Sequence, residues 1–132
     1  MSYGHTITLN LPFPDAVSKV KDAFAVQGFG TLTEIDVQAT LKQKLDHDSE
    51  PYVILGTCNP QLAHQALQIE PEIGLLLPCN VVVRRQAATT LVHALDPQVM
   101  VQVPQRLELQ PLADEANRRI RVALDSLDDE NP

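Results

Sequence analysis

Cys58 and Cys79 carry the most reactive side-chain chemistry in this 132-residue sequence, and each is followed by an asparagine. Cys58 ends the apolar run Tyr52–Thr57 and precedes Asn59-Pro60, an N-cap residue with Pro at the first helical position. A thiol at a helix start has its anion favoured by unpaired backbone N–H groups and the helix dipole. Cys79 follows Pro78, which cannot donate to a strand ladder and so marks an edge, a bulge or a strand start. Boundaries of different strands gather at the rim of a sheet. We therefore expect Cys58 and Cys79 on neighbouring strands, near the same end of the sheet. Two such thiols would suit a reversible disulfide or a soft metal if their Cα atoms lay within about 7 Å. Asn59 and Asn80 would line the same ligand site, and His64, early in the helix after Cys58, is the available third metal ligand. No CxxC or HxxxH spacing accompanies them, so the zinc signal is weak. The competing assignment is packing, since free Cys is commonly a small buried hydrophobe.

Other chemistry finds little support. GxSxG, HExxH and a phosphate-cradling glycine loop are all absent. Gly28-Phe29-Gly30 follows a helical pattern and reads as a helix stop. His5 is a spare ligand, His47 sits in a polar loop, and His93 alternates with Val92 and should face solvent. Glu70 and Glu72 flank Pro71 in what reads as a solvated turn. Arg84-Arg85 and the group Arg118, Arg119 and Arg121 are expected to pair with nearby acids.

The elements that must position these residues are short. Apolar alternation predicts strands over Tyr3–Leu11, Phe29–Ile35, Tyr52–Thr57, Cys79–Arg85 and Thr90–Leu95. Phe29, Thr31, Thr33 and Ile35 should share one face. Helical spacing predicts helices near Pro14–Gln27, Val37–Leu45, Asn59–Glu70 and Pro111–Leu127, with Asp36 and Asn59 as N-caps and Gly28 as a C-terminal stop. Gln86–Thr89 reads as a hairpin of open turn type, lacking an Asn-Gly signal. Val99–Pro111 is ambiguous. The order is β-α-β-α-β-α-β-β-α: an α+β fold with a mostly antiparallel sheet and helices packed on one face. Residues 1–127 form one domain and 128–132 an acidic, frayed tail.

With 17 acids against 10 Lys and Arg, the formal charge is -7. That argues against nucleic acid or anionic lipid as a partner. Residues 1–11 lack the pattern of a secretory signal, and Ile73–Pro78, the longest apolar run, is far below the roughly 20 residues of a membrane span. The expected compartment is the cytoplasm, with both thiols reduced.

Cys58-Asn59-Pro60 with Ala63 and Leu67, and the stretch Ile73-Gly74-Leu75-Leu76-Leu77-Pro78-Cys79-Asn80-Val81-Val82-Val83, resemble the bacterial and archaeal domain of unknown function family 302. Asp15-Ala16-Val17, Gly28-Phe29-Gly30, Asp36-Val37, Leu41-Lys42 and Ala94-Leu95-Asp96-Pro97 follow in that family's order. The likeness runs from Tyr3 to Leu127. It implies a compact α+β domain near the TATA-binding-protein-like folds, without their DNA binding, and a homodimer. It implies no activity and no catalytic residue. Residues 85–91 look short against the family's hairpin.

The expectation is therefore a non-enzymatic binding protein for a small ligand or a soft metal near Cys58 and Cys79, with no cofactor named. The alternative is a homodimeric interaction or scaffold module whose cysteines only pack. A thiol enzyme using Cys58 ranks last, because a nucleophile needs a positioned base.

Overall fold

The computed structural model describes residues 2–129 and 131. Its strands are β1 (Gly4–Leu9), β2 (Gly30–Asp36), β3 (Tyr52–Cys58), β4 (Cys79–Gln86) and β5 (Thr89–Leu95). They form one antiparallel sheet in the order β1-β5-β4-β3-β2. The helices are α1 (Phe13–Val26), α2 (Val37–Leu45), α3 (Pro60–Ile69), α4 (Val99–Gln102) and α5 (Gln110–Asp129), with single 3-10 turns at Pro71–Leu76 and Leu107–Leu109. The α+β class, the antiparallel sheet and the order of the main elements match the sequence expectation. The ambiguous stretch resolves into α4 and the second 3-10 turn. The apolar run from Ile73 is largely the first 3-10 turn, which buries Ile73 and leaves Leu75 exposed. None of the helices among the described residues is long and apolar enough to cross a membrane.

Local chemistry explains the boundaries. Asp36 accepts a hydrogen bond from Ala39 N at 2.9 Å and caps α2. Asn59 does the same for α3, its Oδ1 accepting from Leu62 N at 3.2 Å. Gly28 ends α1 at φ 85°, a backbone conformation that side chains disfavour. A Cβ there would also lie 2.8 Å from the Asn59 amide nitrogen. At the far end, α5 continues through Asp128 and Asp129. The Asn131 side chain accepts from Asn10 N and donates to Thr8 O, both at 2.8 Å. Met1, Glu130 and Pro132 lie outside the described residues.

One sheet face is closed by α1 and α5. Leu9, Leu55, Val83 and Val92 meet Val20 and Phe24 of α1 and Ile120, Leu124 and Leu127 of α5 in the main core. Phe24 and Phe29 pack edge to face with centroids 6.3 Å apart. The opposite face carries Thr6, Tyr52, Ile54, Val82, Arg84, Leu91 and His93, half-buried or exposed. α2 buries none of its residues; Val37 and Leu41 wall a cleft beside Tyr52 and Arg84.

Three local expectations fail. β2 is an exposed edge strand whose pairing slips between Thr31 and Thr33. Phe29 is core, Ile35 is 49% exposed, and the expected common face breaks at that irregularity. His93 is half-buried and bonded through both ring nitrogens, so it does not simply face solvent. The arginines divide. Arg118 and Arg119 both engage Glu115, whose carboxyl they hold down at about 2. Arg84 and Arg85 have no carboxylate partner among the described residues; they donate to His93, Leu11 O and Thr90.

Candidate functional site

β3 and β4 run antiparallel with Thr57 opposite Cys79. That register puts Cys58, the last residue of β3, and Cys79, the first of β4, at the same end of adjacent strands. Both are free thiols, half-buried, on the wall of one cavity of about 380 Å³. Its volume falls within the roughly 300–1,000 Å³ of small-molecule sites.

The walls come from four directions. The sheet rim gives Thr57, Cys58 and Cys79, with Leu32 and Thr33 from β2. α3 gives Leu62, Ala63, Ala66 and Leu67, one apolar stripe at helical spacing. α5 gives Leu112, Ala113 and Ala116, and the connecting segments add Ile73, Leu77, Met100 and Leu109. Leu32 is 68% and Leu67 41% exposed, so these two mark the mouth. Ile73, Met100, Leu109 and Ala113 belong to a second core cluster, separate from the main one.

Specific contacts hold the walls in place. Arg106 donates to Ile69 O at 2.9 Å and pairs with Glu70 at 3.1 Å, pinning the segment after α4 to the end of α3. Gln98, Gln110 and Asp114 tie α4 to α5 through bonds of 2.7–3.0 Å. Gly56 lets the rim close. A Cβ there would stand 2.2 Å from Thr33 Oγ1 and 2.8 Å from Pro78 Cγ, and both neighbours line the cavity. Thr57 Oγ1 donates to Cys79 O at 2.8 Å, so a buried hydroxyl is satisfied within the wall.

Among the described residues, the lining contains no Asp, Glu, Lys, Arg or His. Its polar side chains are Thr33, Thr57, Asn59 and the two thiols. Burial, and then the proximity of Cys58, push the Cys79 thiol up to about 11, so Cys79 is uncharged at neutral pH. Cys58, Cys79 and Met100 are the sulfur-bearing residues of the cavity wall, and sulfur is soft and polarizable.

The expected site residues divide accordingly. Cys58, Asn59 and Cys79 come together. Asn80 is exposed on β4 opposite Gly56, outside the lining, because it follows Cys79 and points to the other sheet face. His64 is exposed on α3, off the stripe that faces the cavity, and does not join the thiols. Among the described residues no group of three or more His, Cys, Asp or Glu is placed to hold a metal. Sequence reasoning missed Met100, Leu109, Leu112 and Ala113 as site residues. A signal existed in Ala63, Ala66, Ala113 and Ala116, small residues at core positions on two helices, but the same pattern also serves close helix packing.

The model of the Domain of unknown function DUF302 family matches residues 5–127. The crystal structure of an uncharacterized conserved DUF302 protein from Bacillus stearothermophilus is similar, with TM-score 0.88 and 27% identity. That likeness covers 95% of this chain and 98% of that one. No curated protein matches the chain.

Proposed function

The chain belongs to the DUF302 family, which brings a fold and no activity, and from that premise we propose that it is a non-enzymatic binding protein for a neutral, largely apolar small molecule. One observation carries this: a cavity of about 380 Å³ whose lining, among the described residues, holds no charged side chain. An ionised ligand would lose its hydration there and gain no counter-charge. The presence of Cys58, Cys79 and Met100 in the wall favours a polarizable body, aromatic or sulfur-bearing, over a purely aliphatic one. The lining also supports binding over thiol catalysis. Among the described residues no base lines the cavity with the cysteines, and Cys79 is held as the neutral thiol, the weaker nucleophile.

The test is a fluorescence titration with N-phenyl-1-naphthylamine, a neutral apolar dye. The protein should enhance and saturate its emission. Ala66→Phe and Ala113→Phe, which place a ring inside the cavity, should each weaken binding by about tenfold or more while leaving the far-UV circular dichroism unchanged. No saturable binding, or binding that neither plug reduces, overturns the proposal.

A further inference from the structure

Arg84 and Arg85 stand apart from the arginines that meet a carboxylate, and Arg84 differs again in its partner. Arg106, Arg118 and Arg119 each meet a carboxylate, and Arg85 donates its Nη1 to Leu11 O at 3.3 Å and to Thr90 Oγ1 at 2.9 Å. Arg84 instead donates Nε–H to His93 Nε2 at 2.9 Å. A guanidinium only donates, so Nε2 is the acceptor and the neutral ring carries its proton on Nδ1, which faces Thr6 Oγ1 at 2.8 Å. Burial, and then the Arg84 charge, lower the His93 pKa, in keeping with that neutral ring. A half-buried cation in an acidic chain is thus left without a counter-charge among the described residues.

Arg84, with Arg85 beside it, lines a cleft of about 300 Å³ between α2 and the sheet, which among the described residues shares none with the first cavity. Val37, Leu41 and Tyr52 form its apolar walls. Ser49 lines it too, and the Ser49 hydroxyl oxygen is buried with no hydrogen-bond partner. An uncompensated cation and an orphan hydroxyl are each unfavourable until a partner arrives. The acid on this rim is Glu50, whose two carboxylate oxygens accept from Ala87 N at 3.2 and 3.3 Å.

We propose that this cleft is a second ligand site, taking a small organic carboxylate whose oxygens meet the Arg84 guanidinium and the Ser49 hydroxyl. Its apolar body lies against Val37 and Leu41. Arginine matches a carboxylate through two parallel N–H donors, and the neutral His93 holds the guanidinium in place without cancelling its charge.

The experiment is a 15N-edited NMR titration of the whole chain with sodium benzoate at low salt, with benzamide as the neutral control and inorganic phosphate as a second anion. Benzoate should shift the amides of Ser49, Tyr52 and Arg84, and benzamide should not. Arg84→Gln should weaken benzoate about tenfold, and Glu50→Gln, which removes a facing negative charge, should tighten it roughly two- to fivefold. Should Arg84→Gln fail to fold, the Glu50→Gln sign and the benzamide contrast still decide. Absence of shifts at the cleft, equal binding of benzamide, or weaker binding in Glu50→Gln overturns the proposal. Binding of phosphate in place of benzoate overturns the organic acid as ligand.

Discussion

The two ends of α5 pack against different kinds of interior. Toward its C-terminus Ile120, Ala123, Leu124 and Leu127 close against α1 and the sheet, in a core that also buries Phe24, Phe29 and Leu9. Toward its N-terminus Leu112, Ala113 and Ala116 face Ala63 and Ala66 of α3 across the cavity. One helix thus passes from a filled core to a hollow one. The hollow part is roofed by short pieces, the two 3-10 turns and the four-residue α4, where the filled part has the 14-residue α1. Large side chains on long elements make a core that stabilises. Small side chains under short elements leave volume, and that volume is where a ligand can contribute the missing contacts.

The largest test of this contrast lies in the filled part. Phe24→Ala should destabilise by about 3–5 kcal/mol in chemical denaturation, because nothing adjoining is free to collapse into the space. A much smaller loss would mean that this half is not closely packed.

Cys79 tests whether the hollow half is dry. Its folded pKa is raised, so the unfolded chain loses the proton first as pH rises. The stabilisation is whole below the ordinary thiol value of about 9.0 and disappears as pH climbs through about 11. Stability should therefore fall by something on the order of 3 kcal/mol across that window, and Cys79→Ala should flatten the slope. An ordinary thiol titration would show the cavity to be wet.

A paired substitution along α5 gives the smallest effect and the sharpest one. Ala123→Leu should destabilise by about 1–3 kcal/mol through overpacking, whereas Ala113→Leu, which enters the cavity, should be neutral or stabilising in a thermal melt. Equal destabilisation by both would erase the distinction between the two halves.

Much of this was legible in the sequence where the governing interactions are local. Asp36 and Asn59 announce their helices because a cap needs only the next three residues, and Gly28 marks a stop for a similar reason. The meeting of Cys58 and Cys79 followed from each adjoining the end of an element. The hairpin was visible, but its turn was not: Ala87 takes φ 52° without the glycine or asparagine that usually signals it. Val99–Pro111 stayed ambiguous because Pro104 and Pro111 interrupt any period. The cavity itself was hidden. It exists because alanines distant in sequence face one another, which no window of residues can reveal. His64 and Asn80 were drawn toward the site by sequence proximity alone, and the turn of α3 and the pleat of β4 carry them away from it. The fate of Arg84 depended on which strand β5 would lie beside.

The strand order has a consequence for the growing chain during synthesis. β3, β4 and β5 pair with immediate neighbours, and β2 with the strand that follows it, so four strands can assemble as they emerge. β1 is made before the other four strands, yet its partner runs from Thr89 to Leu95, with Gly4 opposite Leu95. The core beneath it is completed only by α5, which ends at Asp129. Of these five strands, the earliest must therefore wait for β5 and α5, bearing a large loop-closure entropy, before Ile7 and Leu9 find cover. Its alternating threonines, Thr6 and Thr8, keep that waiting segment half polar throughout the interval.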